Sequence, residues 1–306
     1  MKRYFFLALF VALILLAVPA TVLADNGPHG SGYTNTTDAC AGCHRAHTAV
    51  AAALLKQNEN ALCSTCHNGS GAQTNVTDGQ WMGTPASRGL KGGGFVNAWM
   101  DTDVNGTSSL TPVTSWHTND GSSATDWGAG AINPSPNPGD TIQLACGSCH
   151  DPHRKAGTGD AATFRILKPN PRQSGAASVE IADEATKVYY VNSATNDYFG
   201  QAYPAGVTLG NWCALCHDRY MNTDGVGTTS GDSIFAYRHN TNRPDGTSPG
   251  PTYCLACHVA HGTSAAMGSN SQGVPWPGGG AGQTQTNRSS LLRVDSRGVC
   301  QRCHQK

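Results

Sequence analysis

Neither sign of charge dominates this sequence: Lys and Arg number 20 and Asp and Glu also number 20 in 306 residues. That balance provides no basic patch or stripe of the kind a nucleic-acid partner requires. Aromatic residues are only 7% of the chain, and the apolar residues hold neither helical nor strand periodicity over any long stretch. A core of ordinary amphipathic elements is therefore excluded. There is one long hydrophobic run, at the very start. No cysteine stands alone, because all 12 fall in pairs.

The pairs share one form, C-x-x-C-H. The six copies are Cys40/Cys43/His44, Cys63/Cys66/His67, Cys146/Cys149/His150, Cys213/Cys216/His217, Cys254/Cys257/His258 and Cys300/Cys303/His304. This is the spacing of covalent c-type haem attachment, in which each cysteine adds to a haem vinyl group and the adjacent histidine reaches the iron. Disulfides or a zinc ribbon would account for one isolated pair. Neither accounts for a histidine in the same place six times.

The compartment agrees. The opening MKRYFFLALFVALILLAVPATVLA places Lys2 and Arg3 before an apolar run of about 15 residues that closes on small residues, the pattern of a signal peptide. Residues 1–24 are expected to be removed after Ala24, leaving 18 basic and 20 acidic side chains. The run is short for a membrane anchor, so no membrane span is expected after cleavage. The expected location is secreted, at the cell surface or beyond it, with the periplasm as the alternative. Five N-x-S/T sequences (Asn35, Asn68, Asn75, Asn105, Asn287) permit glycosylation in such a location.

Removing 24 residues from 306 leaves 282, or 47 for each of six motifs, too few to build six separate haem pockets. The haems must share walls. With 37 Gly and 16 Pro, residues 25–306 are expected to form one domain, mostly coil with short helices at the motifs and few short strands, such as Lys187–Val191, wrapped around a chain of six stacked haems. Covalent haem would supply the apolar mass and the cross-links that small scaffolds otherwise take from disulfides.

Six histidines lie outside the motifs: His29, His47, His117, His153, His239 and His261. Six irons with histidine on both faces need that number, so the competing methionines Met82, Met100, Met221 and Met267 are not required. The order repeats three times, over about 25–110, 111–230 and 231–306. A lone histidine (His29, His117, His239) precedes a C-x-x-C-H-x-x-H unit ending at His47, His153 or His261, and a plain C-x-x-C-H follows. The module is the repeat. A second register runs with it: Leu54-Leu55-Lys56 and Leu291-Leu292-Arg293 each begin nine residues before the plain motif's first cysteine. Ile166-Leu167-Lys168 begins the same phrase, ahead of what looks like an insertion over 169–211.

On these motifs the sequence resembles the doubled C-x-x-C-H family of multihaem cytochromes, in which haems come as closely stacked pairs. The secretion signal, the six motifs and the histidine before the first C-x-x-C-H-x-x-H make it similar to the extracellular cytochromes of metal-reducing bacteria that polymerise into conductive filaments. The resemblance implies a continuous haem chain, long-range electron transfer to outside acceptors, proteins or minerals, and an inter-subunit ligand at the position of His47.

The second histidine of each C-x-x-C-H-x-x-H unit is constrained by reach. Three extended residues span at most about 10–11 Å, whereas histidines on opposite faces of one iron need roughly 12 Å between Cα atoms. His153 therefore serves a haem other than that of His150, and by repeat His47 and His261 do likewise. If each serves the preceding module, His47 has no preceding module in its own chain, and the haem at Cys254/Cys257 is left for it in the next protomer. The competing arrangement satisfies each module's four histidines internally. An iron with two histidines has no open position, so electron transfer without catalysis is expected; a soluble periplasmic or conduit electron carrier and a multihaem reductase are the alternatives.

Overall fold

The computed structural model describes residues 29, 40–84, 88–101, 108–126, 128–129, 139–153, 164–172, 178–181, 188–191, 206–218, 254–266 and 291–295. The leader over 1–24, His239, and the last motif of Cys300, Cys303 and His304 lie outside the described residues.

Helices are short and sit on the motifs. Helix α1 (Glu59–His67) contains a whole C-x-x-C-H, with Glu59 in its first turn, where a carboxylate favours the helix dipole, and His67 in its last. Helices α2 (Cys146–Cys149) and α4 (Cys254–Cys257) are single turns over the cysteine pairs, and α3 (Gly206–Cys213) ends on the first cysteine of its motif. A helical turn suits this spacing because positions i, i+3 and i+4 share one face. Both cysteines and the histidine then point the same way. The turn closes when the histidine N–H donates to the first cysteine's carbonyl, from His44 to Cys40 (2.8 Å), His150 to Cys146 (2.9 Å), His217 to Cys213 (3.0 Å) and His258 to Cys254 (2.9 Å).

Nine strands, none longer than six residues, form four small antiparallel sheets among the described residues. Strands β1 (Thr74–Asn75), β2 (Gln80–Trp81) and β3 (Arg88–Gly89) form one; β4 (Asn97–Asp101) pairs with β5 (Ser108–Pro112), and β7 (Asp120–Thr125) with β8 (Thr141–Ala145). The fourth joins distant segments, β6 (Ser115–Trp116) with β9 (Gly262–Thr263). The strands are short, and most of the described chain is neither helix nor strand, as expected from the Gly- and Pro-rich composition. Backbone groups that lack a helix still need partners where water is excluded, and short cross-chain ladders provide them. Of the expected strand at 187–191, residues 188–191 lie antiparallel to 89–91: the Lys91 N–H donates to Tyr189 (2.9 Å) and the Val191 N–H to Gly89 (2.8 Å). Asn75 is buried and its side-chain amide donates to Asp78, so it presents no surface for a glycan.

The buried apolar side chains gather in small groups rather than one core. Leu167, Ile181 and Leu209 form one, with Val179, Trp212 and Leu255 against it, and Ala98 with Val259 forms another, flanked by Val113 and Leu291. Each group touches a motif helix or the phrase that follows a motif. Among the described residues no helix is long and apolar enough to cross a membrane.

Candidate haem sites

Ten of the cysteines lie in the described residues, as five C-x-x-C pairs, and none of the ten is in a disulfide. Pairs from different motifs adjoin. The N-terminus of α2 is capped from α1: the Gly147 N–H donates to the Glu59 carboxylate and the Cys146 N–H to the Asn60 side-chain carbonyl (3.2 Å). That contact brings Cys63 and Cys146 within hydrogen-bond reach, which lowers the Cys63 thiol's pKa and, with burial, raises that of Cys146. The same happens where α3 meets α4: a hydrogen bond between Cys213 and Cys254 raises the first and lowers the second. Burial pushes Cys149 and Cys216 up to about 11, with the Cys216 thiol close enough to add to the effect on Cys149. The second, third, fourth and fifth attachment points thus follow one another in space.

The described attachment cysteines differ in exposure. Cys40 and Cys66 are exposed, whereas Cys43, Cys63 and the six in the later motifs are half-buried. For Cys66 the reason is its place on α1. Cys63, one turn earlier, faces α2, while Cys66 lies in the last turn, where the chain folds back with little to cover the thiol: the N–H groups of Gly71 and Ala72 donate to the Cys66 carbonyl (3.2 and 2.9 Å). Gly71 has no side chain to lay over Sγ, and a Cβ there would come within 3.1 Å of it.

The histidines meet in pairs drawn from different parts of the chain. Ring centres are 6.2 Å apart for His29 and His67, 5.9 Å for His44 and His153, 6.2 Å for His117 and His217, and 6.3 Å for His150 and His261. Two imidazole nitrogens on one metal at about 2 Å each, with each ring centre roughly 1.1 Å behind its nitrogen, require centres about 6.2 Å apart. The residues fit a bis-histidine iron. The separation hardly varies while the interplanar angle runs from 18° to 64°. Rings free to rotate about a common axis behave this way; rings held by their own stacking do not.

In several of these rings the second nitrogen has its own partner, whereas Nδ1 of His261 is buried with none among the described residues. Nδ1 donates to the carbonyl of Ala53 from His44 (2.9 Å), of Arg165 from His150 (2.9 Å) and of Ala260 from His117 (2.6 Å). His67 places Nδ1 2.9 Å from the Thr74 hydroxyl. A carbonyl only accepts, so Nδ1 carries the proton and Nε2 keeps its lone pair toward the facing ring. Burial lowers the pKa of His67, His117 and His150, and burial with neighbouring histidines takes His261 to about 3. All four stay neutral at physiological pH, the form that ligates a metal.

The segment His150–His153 touches three of these sites at once. His150 faces His261, the Pro152 carbonyl accepts from Nδ1 of His29 (3.3 Å), and His153 faces His44. The segment His258–His261 repeats the scheme, with the Ala260 carbonyl on His117 and His261 facing His150. His47, at the corresponding place in the first unit, is exposed, and among the described residues no histidine ring lies against it.

Sequence reasoning missed the support around His261. Gly92-Gly93-Gly94 runs beside β9: the Gly92 carbonyl accepts from the His261 N–H (2.7 Å), and a Cβ on Gly92 would lie 3.2 Å from Nδ1 of His261. At Gly93, with φ of 75°, a Cβ would collide with the Gly262 carbonyl. A run of three glycines was the available signal for such a close approach. Phe95 stacks on the same imidazole at 4.7 Å.

Residues 34–72 match the family model of the doubled CXXCH motif. The match covers the first two attachment motifs and His47. No curated protein and no solved structure matches the chain. The C-x-x-C-H motifs indicate covalent haem c binding, and the match supports a likeness to multihaem c-type cytochromes.

Proposed function

We propose that this chain is a secreted electron-transfer cytochrome carrying six covalent haems, each ligated by two histidines, and that copies join head to tail into an extracellular filament. The observation that carries the reading is the near-constant separation of about 6 Å between facing imidazoles of four chain-distant histidine pairs. Haem iron, when bound there, supplies a reversible one-electron couple with no free position for substrate. The chain's part is to hold neutral imidazoles on both faces, exclude water and keep neighbouring attachment points close.

On this reading His44 and His153 share the first haem, His67 and His29 the second, His150 and His261 the third, and His217 and His117 the fourth. The step that sets His153 beside His44 assigns His47 to the fifth haem, beside His258 of a neighbouring copy, and the within-module pairing of His29 with His67 and of His117 with His217 assigns His239 to the sixth, beside His304. Electrons pass along the order in which Cys63 meets Cys146, Cys149 meets Cys216, and Cys213 meets Cys254. Donors and acceptors are redox proteins or minerals met at the ends of the chain.

Intact mass spectrometry tests the count. The secreted protein is expected to weigh as the chain from Asp25 onward plus six haems, with no free thiol and no disulfide. Five haems, or a blocked cysteine pair, would refute it. Carbon monoxide tests the ligation: the reduced protein at neutral pH is expected to leave it unbound. Stoichiometric uptake at even one haem would instead favour a multihaem reductase with an open iron.

A further inference from the structure

Five non-glycine residues among those described have positive φ, and all five lie in one repeated element: Ala53 (56°) and Leu54 (59°), Arg165 (51°) and Ile166 (51°), and Leu291 (62°). Consecutive side-chain-bearing residues in the left-handed region are costly, and such strain persists only where surrounding structure imposes it. Here the same surroundings occur three times. The residue after each turn bridges antiparallel to a motif histidine: Leu55 to His44, Leu167 to His150 and Leu292 to His258. Two backbone bonds flank each bridge. The N–H of Lys56, Lys168 and Arg293 donates to the second cysteine's carbonyl on Cys43 (3.0 Å), Cys149 (2.8 Å) and Cys257 (2.9 Å). The N–H that follows the histidine, on Arg45, Asp151 and Val259, donates back to Leu54 (2.8 Å), Ile166 (2.8 Å) and Leu291 (2.9 Å).

The left-handed turn has one visible product. It swings the carbonyl of Ala53 onto Nδ1 of His44, and that of Arg165 onto Nδ1 of His150, both at 2.9 Å. An extended turn of the same length could keep the bridge but would point that carbonyl away. The plain motif at His67 lacks the element and uses the Thr74 hydroxyl instead.

We propose that this turn is a positioning clamp, one per module, that holds the proximal imidazole of every second haem and sets that haem's reduction potential through the Nδ1 hydrogen bond. The proposal rests on the reading of His44 and His150 as haem ligands. A carbonyl on Nδ1 makes the ring a more basic ligand, which favours the ferric iron; loss of that bond raises the potential.

Leu54 is the place to test it, since its side chain is 54% exposed and its replacement disturbs little packing. In the full secreted protein, Leu54→Gly keeps the left-handed turn at no steric cost, Leu54→Val makes it harder to hold, and Leu54→Pro forbids it, because proline fixes φ near −65°. Redox titration with electron paramagnetic resonance is expected to show no change for L54G. It is expected to show an upward shift of one step of the six for L54V, and a larger shift with altered low-spin g-values for L54P. Shifts that follow lost side-chain volume instead, largest for L54G, would overturn the clamp, as would six unshifted steps in L54V and L54P. A wild type whose mass lacks the first haem would instead overturn the ligand reading beneath it.

Discussion

Replacing His153 by alanine is expected to turn one haem high-spin, and the affected haem is the one attached at Cys40 and Cys43 rather than the one three residues away. About one-sixth of the low-spin signal should be lost, and the reduced variant should bind one equivalent of carbon monoxide, because an iron with a single histidine has an open face. The prediction follows from the 5.9 Å between the rings of His153 and His44 and from the limited reach of a three-residue link. A second variant identifies the haem. With Cys40→Ala and Cys43→Ala the first haem is absent, and adding His153→Ala to that background should create no new high-spin iron. A high-spin signal that persists there would place His153 on another haem and refute the assignment.

Replacing His47 by alanine is expected to stop assembly while leaving haem attachment intact. The wild-type protein should appear in micrographs as filaments, and the variant as single protomers with six haems, one of them high-spin. The step that sets His153 beside His44 and His261 beside His150 carries each C-x-x-C-H-x-x-H unit onto the module before it. On the proposed reading the same step carries His47, in the first module, onto an iron of another copy. A contact of that kind is heterologous, and unless its rotation closes a ring it propagates without end. The exposure of His47 suits such a ligand. Filaments of unchanged length and spectrum in the variant would sink the proposal, and so would a monomeric wild type with six low-spin haems. The effect is all or none because one coordination bond per junction is removed, and no surface salt bridge could replace it.

How far the sequence reaches can be judged from a few features. The C-x-x-C-H copies and the separate histidines are statements about spacing along the chain, and a helical turn converts that spacing directly into a shared face. The modular order of His29, His117 and His239 is read from spacing in the same way, and so is the expectation that His153 serves a haem other than its neighbour's. The exposure of Cys66 was not legible, because its motif is spelled like the others and differs only in what packs beside it. Leu54-Leu55-Lys56 was read differently in sequence and in space. By spacing it looks forward to Cys63; in the fold it turns back and bridges to His44. An antiparallel bridge depends on where the chain returns, and spacing to the next motif carries no record of that.

The second partners of the imidazoles were hidden for a related reason. Ala53, Arg165 and Ala260 act through backbone carbonyls, which every residue possesses, so no side-chain identity marks them. Only the left-handed φ values at Ala53 and Arg165 betray two of them. The glycines at 92–94 did carry a mark, but what they approach is His261, more than 160 residues later in the chain. The sequence by itself determined the chemistry of attachment, the number of candidate ligands and the three-module order, because each is written in local residue identity and spacing. The tertiary structure alone decided which histidine faces which, and which carbonyl holds each ring, because those pairings arise when distant segments close on one another and bury the backbone groups between them.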